Sequence, residues 1–164
     1  MVLNFKKGFT LIELIVSVGI VSILAVSALV SLSSIKDKKS LSSEADEIKT
    51  QIERARVLAL NPSADFTGYN YFGVNIVSAT APANDTYQLV ARKNSATDTT
   101  DEKSISTFSL TPTSNFNSDK SIFFGVKEQG RVVNRSSDVG FELNKAGLKK
   151  TISISYPFGV VEVK

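Results

Sequence analysis

The chain has 164 residues, a formal charge of +3, no cysteine and no histidine. Without cysteine, an exported domain must hold its fold without disulfides. Without histidine it lacks the commonest general base and metal ligand, and no catalytic spacing replaces it, so an enzyme is not expected and no cofactor is implied.

Met1–Gly8 is a short leader that ends in Lys6-Lys7-Gly8 and reads as a processing segment. Lys6 and Lys7 mark the end that stays cytoplasmic, so the remainder of the chain crosses the membrane. An apolar run of 24 residues follows, Phe9 to Leu32. As a helix it would be about 36 Å long, enough to span a bilayer with some tilt. Gly19 is its soft place, either a helix-packing contact, a point of local melting or a tolerated glycine. Glu13 is a lone carboxylate in this run, and a charge in hydrocarbon costs about 2–4 kcal/mol at the centre and less near an end. Two plainer readings stand beside a processed filament helix. Val26-Ser27-Ala28 offers small residues to an ordinary signal peptidase, leaving a chain that starts at Leu29. Alternatively the run is a simple anchor, with Glu13 reaching for the headgroups.

Gly8-Phe9-Thr10-Leu11-Ile12-Glu13-Leu14-Ile15-Val16 resembles, at every position, the class III signal of type IV pilins and type II secretion pseudopilins. The resemblance implies cleavage between Gly8 and Phe9 by a prepilin peptidase/N-methyltransferase, then N-methylation of Phe9. It also implies that Glu13 pairs with the N-terminal amine of a neighbouring subunit during assembly. Opposite charges about 4 Å apart attract by about 4 kcal/mol at an effective dielectric near 20, which offsets the cost of placing Glu13 in lipid. The implied partners are other pilin or pseudopilin subunits, an inner-membrane assembly platform and membrane lipid. Loss of Met1–Gly8 removes Lys6 and Lys7 and leaves 17 basic against 16 acidic side chains, a balance of +1. Nothing in that balance suggests general attraction to nucleic acid. Many type IVa pilins close a C-terminal loop with a disulfide, and this sequence departs from that pattern.

After Leu32 the composition turns polar but the helical period continues. Leu41, Ala45, Ile48, Ile52, Ala55 and Ala59 form one apolar stripe, with Lys49–Glu53 and Glu53–Arg56 as charge pairs on the outer face. Asn61-Pro62 stops the helix. The stretch Phe9 to Leu60 would make one helix of 52 residues, about 78 Å long. A short coiled coil is the alternative use of the stripe.

From Ser63 the period changes to two. Strands are predicted at Tyr69–Val77, Thr86–Arg92, Ile105–Leu110, Ser121–Val126, Gly140–Leu143, Thr151–Tyr156 and Val160–Val163. Turn signals fall at Ala83-Asn84-Asp85, Gln129-Gly130, Lys145-Ala146-Gly147 and Pro157-Phe158-Gly159. The fold class is therefore α+β: leader 1–8, membrane or filament-core helix 9–32, amphipathic continuation 33–61, and an antiparallel β-rich domain 62–164 packed on the stripe. Phe72-Gly73-Val74, Thr86-Tyr87-Gln88-Leu89, Phe123-Phe124, Gly130-Arg131 and Gly159-Val160-Val161, with Ala55-Arg56 and Asn61, resemble the GspH/FimT-type pseudopilin domain. Some members of that type bind DNA through C-terminal arginines. The closing Phe158 to Lys164 has none, so DNA binding is not carried over.

Other constellations have ordinary readings. Asp98, Asp101 and Glu102 lie in a polar stretch, Asn94 to Lys103, that lacks the alternation and glycine of a calcium loop and reads as a solvated hairpin tip, so no metal site is expected. Lys145, Lys149, Lys150, Arg131 and Arg135 are candidates for a basic patch towards DNA or another negatively charged polymer, without a groove motif to support it. Thr111 to Ser118 is a Ser/Thr-rich loop, exposed or glycosylated. Tyr69, Tyr71, Phe72, Phe123 and Phe124 alternate in strands and are assigned to the core. The leading reading is a structural filament subunit, and the alternative a minor pilin that captures DNA or a surface. Glu13 argues against the tip pseudopilin type that lacks this glutamate.

Overall fold

The computed structural model describes residues 9–79 and 83–164. By its contacts the chain divides into two units, Met1–Asp37 and Lys38–Lys164, and α-helix α1 (Leu11–Leu60) begins in the first and ends in the second.

In the first unit, every residue from Phe9 to Ser27 is exposed, including Phe9 at 83%, Leu11 at 78% and Ile23 at 69%. α1 is long and apolar enough to cross a membrane. Three of its serines bond back onto the helix itself. Ser17, Ser22 and Ser27 each donate to the carbonyl four residues back, of Glu13, Val18 and Ile23, at 2.6, 2.8 and 3.0 Å. The helix runs through Gly19 without interruption, and nothing lies within 4 Å of the position a Cβ would take there.

In the second unit the predicted stripe is the buried face of α1. Leu41, Ala45, Ile48, Ile52, Ala55 and Ala59 are all buried. Leu41, Ile48 and Ile52 each contribute about 1.5–3 kcal/mol on leaving water. Two antiparallel sheets cover the stripe. The strands are β1 (Tyr71–Val77), β2 (Thr86–Arg92), β3 (Lys103–Ser109), β4 (Ser114–Phe116), β5 (Lys120–Gly125), β6 (Arg131–Val132), β7 (Val139–Lys145), β8 (Leu148–Ser155) and β9 (Val160–Val163). One sheet has the order β3-β2-β1-β5-β6 and the other β4-β7-β8-β9. The period of two sends Phe72, Val74 and Ile76 of β1, Ile122 and Phe124 of β5, and Ile152 and Ile154 of β8 into one core with the stripe.

The seven predicted strands all form, two with the expected ends and five shifted by one to three residues. Tyr69 falls outside β1 and packs edge-on to Phe66, 6.0 Å between ring centres, beside a 3-10 turn at Ala64–Phe66. β4 and β6 were not expected. They are three and two residues long, and β4 lies in the stretch assigned to an exposed loop. Ser114 and Phe116 are buried there because Asp85, itself buried, ties that segment down. Its Oδ2 accepts from the Phe116 amide at 2.5 Å, its Oδ1 from the Ala79 amide at 2.7 Å, and its carbonyl from the Leu110 amide at 2.9 Å.

Gly73 and Gly130 stand where close approach leaves little room for a side chain. A Cβ on Gly73 would stand 2.6 Å from the Phe123 ring across the β1–β5 pair. Gly130 has φ +69° in the β5–β6 turn, and a Cβ there would stand 2.9 Å from Leu60 Cγ at the end of α1. That approach also explains the outer-face pairs. Lys49 and Glu53 meet at 3.9 Å, whereas Arg56 is half-buried, its Cγ facing Gly130, and makes no ion pair with Glu53.

Lys145, a candidate for a basic patch, is not available to one. It is buried, and its ammonium donates to Thr111 Oγ1 at 2.7 Å, Ser40 Oγ at 2.8 Å and Glu44 Oε1 at 3.4 Å. This cluster fastens α1 to β7 and the β3–β4 connection. Burial pushes the Glu44 carboxyl up, but hydrogen bonds from Ser114 and Thr111 and the Lys145 charge outweigh it and hold it below its ordinary 4.5. A depressed folded-state value stabilises the fold above the unfolded value near 4.5 and ceases to do so as pH falls through the folded value. Glu44→Gln leaves Lys145 buried without its counter-charge, a cost of about 3 kcal/mol at neutral pH. Urea denaturation of the chain in detergent micelles should show that deficit shrinking below pH 4.5; a deficit independent of pH would contradict the role given to Glu44.

Candidate functional site

The residues assigned to assembly sit at the start of α1. Thr10 occupies the N-cap and Glu13 the third helical position, so Thr10-Leu11-Ile12-Glu13 has the spacing of a capping box. The geometry is reciprocal. The Glu13 amide donates to Thr10 Oγ1 at 3.3 Å, while the Thr10 amide and hydroxyl donate to Glu13 Oε2 at 3.0 and 2.8 Å. The first helical turn closes with the Leu14 amide on the Thr10 carbonyl at 3.2 Å. A carboxylate here satisfies amides that have no partner inside the helix, and it lies at the positive end of the helix dipole. Glu13 therefore has a local reason to be tolerated in an apolar run, which the sequence reading missed although the T-x-x-E spacing signals it. Among the described residues its Oε1 accepts no hydrogen bond, which leaves one oxygen for a further donor. Phe9, just ahead of the cap, is exposed; Lys6, Lys7 and Gly8 lie outside the described residues.

The second place with built chemistry is the outer face of the five-stranded sheet. Phe123 and Phe124 point to opposite faces of β5: Phe124 joins the main core, and Phe123 forms a small second cluster with Val90 and Ala96. The Arg92 guanidinium lies 4.2 Å from the Phe123 ring centre, donates to Glu102 Oε2 at 2.8 Å through Nε and 2.5 Å through Nη2, and donates to the Ala96 carbonyl. The stretch Asn94 to Lys103, expected as a solvated tip, is thus tied back over the sheet through Ala96 and Glu102. Its acids are each engaged. Asp98 accepts from the Thr100 amide and hydroxyl, which hold its carboxyl below the ordinary range, Asp101 accepts from Asn94 at 2.7 Å, and Glu102 takes Arg92 and Asn75. Among the described residues no group of three or more acids, histidines or cysteines could hold a metal ion.

Beside this covered face is a cavity of about 720 Å³, lined by Tyr71, by Ser95 to Thr97, by the segment from Lys127 to Arg135, and by Tyr156 and Pro157. Of the residues considered for a basic patch, Arg131 and Arg135 line this cavity, Lys145 is buried in the main core, and Lys149 pairs with Glu142 at 3.2 Å. The five do not form one patch.

Residues 3–29 match the prokaryotic N-terminal methylation motif. No curated protein and no solved structure matches the chain. The motif, the long helix that follows it and the antiparallel β domain are together consistent with a type IV pilin-like protein. This is the motif of a structural subunit and not of an enzyme family. The match ends before the β domain, so it does not extend to the GspH/FimT-type likeness.

Thr10→Ala removes the two hydrogen bonds of the Thr10 hydroxyl and leaves the residue-10 amide on Glu13. Losing such a cap costs about 1 kcal/mol. Hydrogen exchange of the chain in micelles should show faster exchange confined to the amides of Leu11 to Leu14, and unchanged exchange there would contradict the capping role.

Proposed function

We propose that the chain is a structural subunit of a type IV pilus or type II secretion pseudopilus, and that polymerisation is what it does. In this reading Met1–Gly8 is a leader that prepilin peptidase removes at the Gly8/Phe9 bond, with Lys6 and Lys7 keeping that end cytoplasmic. Phe9 becomes the N-methylated terminus. Residues 9–32 hold the subunit in the membrane until the assembly platform extracts it, and the β-rich domain faces away from the cytoplasm. The observation that carries the reading is an exposed apolar stretch, Phe9 to Ser27, in a methylation motif, with one carboxylate in its first helical turn. Such a surface is stable only in lipid or against other helices of its kind.

Glu13 has the electrostatic role. In storage its carboxylate is held by Thr10. In a filament the free oxygen accepts the Phe9 amine of a neighbouring subunit, so the incoming chain is placed in register while the apolar faces pack. Packing supplies the affinity and the ion pair supplies the register. The minor-pilin alternative, a binding module at the surface, draws its support from the polar cavity on the β domain.

Two substitutions separate processing from assembly. Gly8→Ala should leave the leader in place, seen as an uncut chain in the membrane fraction; normal maturation would remove the peptidase from the account. Glu13→Ala should be cut normally yet give about tenfold less sheared filament, the loss expected of about 1.4 kcal/mol per subunit contact. An undiminished filament yield would end the register role.

A further inference from the structure

We propose that Lys36, Lys38 and Lys39 of α1 bind anionic phospholipid headgroups in the leaflet on the β-domain side of the membrane. The inference rests on the reading of residues 9–32 as a membrane span and gives that span a lipid partner. Length places the site. About 20 helical residues fill a hydrocarbon layer of about 30 Å. Lys36 to Lys39 lie about 40–45 Å along the helix from Phe9, or about 38–42 Å across the bilayer at an ordinary tilt of about 20°. With Phe9 in one headgroup layer, that is the depth of the other.

The three lysines are uncovered and uncompensated. All are exposed, and among the described residues none is in an ion pair. Asp37 is the one acid among them, which leaves Lys36 to Lys39 with a balance of +2. The β domain takes hold of α1 only beyond them, where Lys145 donates to Ser40 at 2.8 Å and Leu41 opens the buried stripe. From there the balance reverses. Leu41 to Leu60 carries four acids against three bases, and Lys49 pairs with Glu53. The excess of cations is therefore confined to the residues that follow the apolar run. Leu32 and Ile35, just ahead, are exposed at 53% and 56%. They offer apolar surface to the lysine stems while the ammonium groups reach headgroup phosphates.

That position selects the occupant. Each lysine beside an anionic membrane surface strengthens association about fivefold, and the gain fades within a Debye length. Cations at headgroup depth gain most from it, and cations elsewhere on the β domain gain little. A zwitterionic headgroup returns no net charge to the three lysines, whereas an anionic one does. Cleavage at the Gly8/Phe9 bond sharpens the asymmetry. It removes Lys6 and Lys7, so the side-chain cations next to the apolar run are then those of the β-domain side alone. The stored subunit is thus held at a set depth from that side by charge as well as by its apolar surface.

The test is electron spin resonance of the full chain in phosphatidylcholine vesicles that carry a small share of spin-labelled phosphatidylglycerol or spin-labelled phosphatidylcholine. Lys6 and Lys7 are changed to glutamine throughout, so that leader charges contribute nothing. The lipid immobilised at the protein should be enriched in phosphatidylglycerol over phosphatidylcholine by about fivefold or more, the effect of at least one lysine. K36Q/K38Q/K39Q should abolish the enrichment, and K36R/K38R/K39R should keep it. K149Q/K150Q, which removes two cations of the β domain, should leave it unchanged. No enrichment in the parent, enrichment that survives K36Q/K38Q/K39Q, or an equal loss in K149Q/K150Q would each overturn the proposal. Loss of self-association in K36Q/K38Q/K39Q, with no lipid enrichment in the parent, would assign the lysines to a second copy of the chain and overturn it as well. Carbonate extraction reads insertion separately. A chain that resists extraction but shows no enrichment ends the lipid site and leaves the span, whereas an extracted chain ends both.

Discussion

From Phe9 to Ser27 this chain presents an exposed apolar surface. Water opposes that surface, so the rest of the design follows from how the surface is accommodated. A helix is the form that satisfies backbone groups without outside partners. The serines add no unsatisfied donors, because each of Ser17, Ser22 and Ser27 turns back on its own helix. The one charge, Glu13, sits where a helix tolerates an anion best, in the first turn and capped by Thr10. The same segment is thereby compatible both with lipid and with other helices packed against it.

The second unit meets a different demand, to fold without disulfides around half of a helix. It does so with one continuous core from the α1 stripe through both sheets, and with polar fastenings where the backbone would otherwise be loose. Lys145, Glu44, Ser40 and Thr111 join the helix to the four-stranded sheet, and Asp85 joins three segments at one carboxylate. Gly130 lets the β5–β6 turn lie against Leu60, which places the turn that supplies Lys127, Gln129 and Arg131 to the outer cavity. Core packing and the lining of the outer cavity are thus set by the same turn.

What could be read from sequence was whatever repeats locally. The six stripe residues follow one helical period and all six are buried, and the alternation in Thr86–Arg92 and Val160–Val163 marks both strands to the residue. What escaped depends on partners far along the chain. Lys145 looks like a turn lysine until Ser40 and Glu44, over 100 residues away, are brought to it. β4 and β6 are too short to show a period and exist because β7 and β5 pair with them. Glu102 looks like a loop acid until the β2–β3 connection folds back onto Arg92. The Thr10–Glu13 box is a different case, since its signal is local but the family resemblance directs attention to a partner in another subunit.

The account turns on where the mature chain begins and in which structure that end is found. The most direct measurement is mass spectrometry of the N-terminal peptide from sheared surface filaments and, separately, from membranes. The account predicts a methylated Phe9 terminus in both fractions, enriched in the filaments. A terminus at Leu29, or an uncut Met1, would mean that the apolar helix is a discarded signal or a plain anchor, and would contradict the filament subunit.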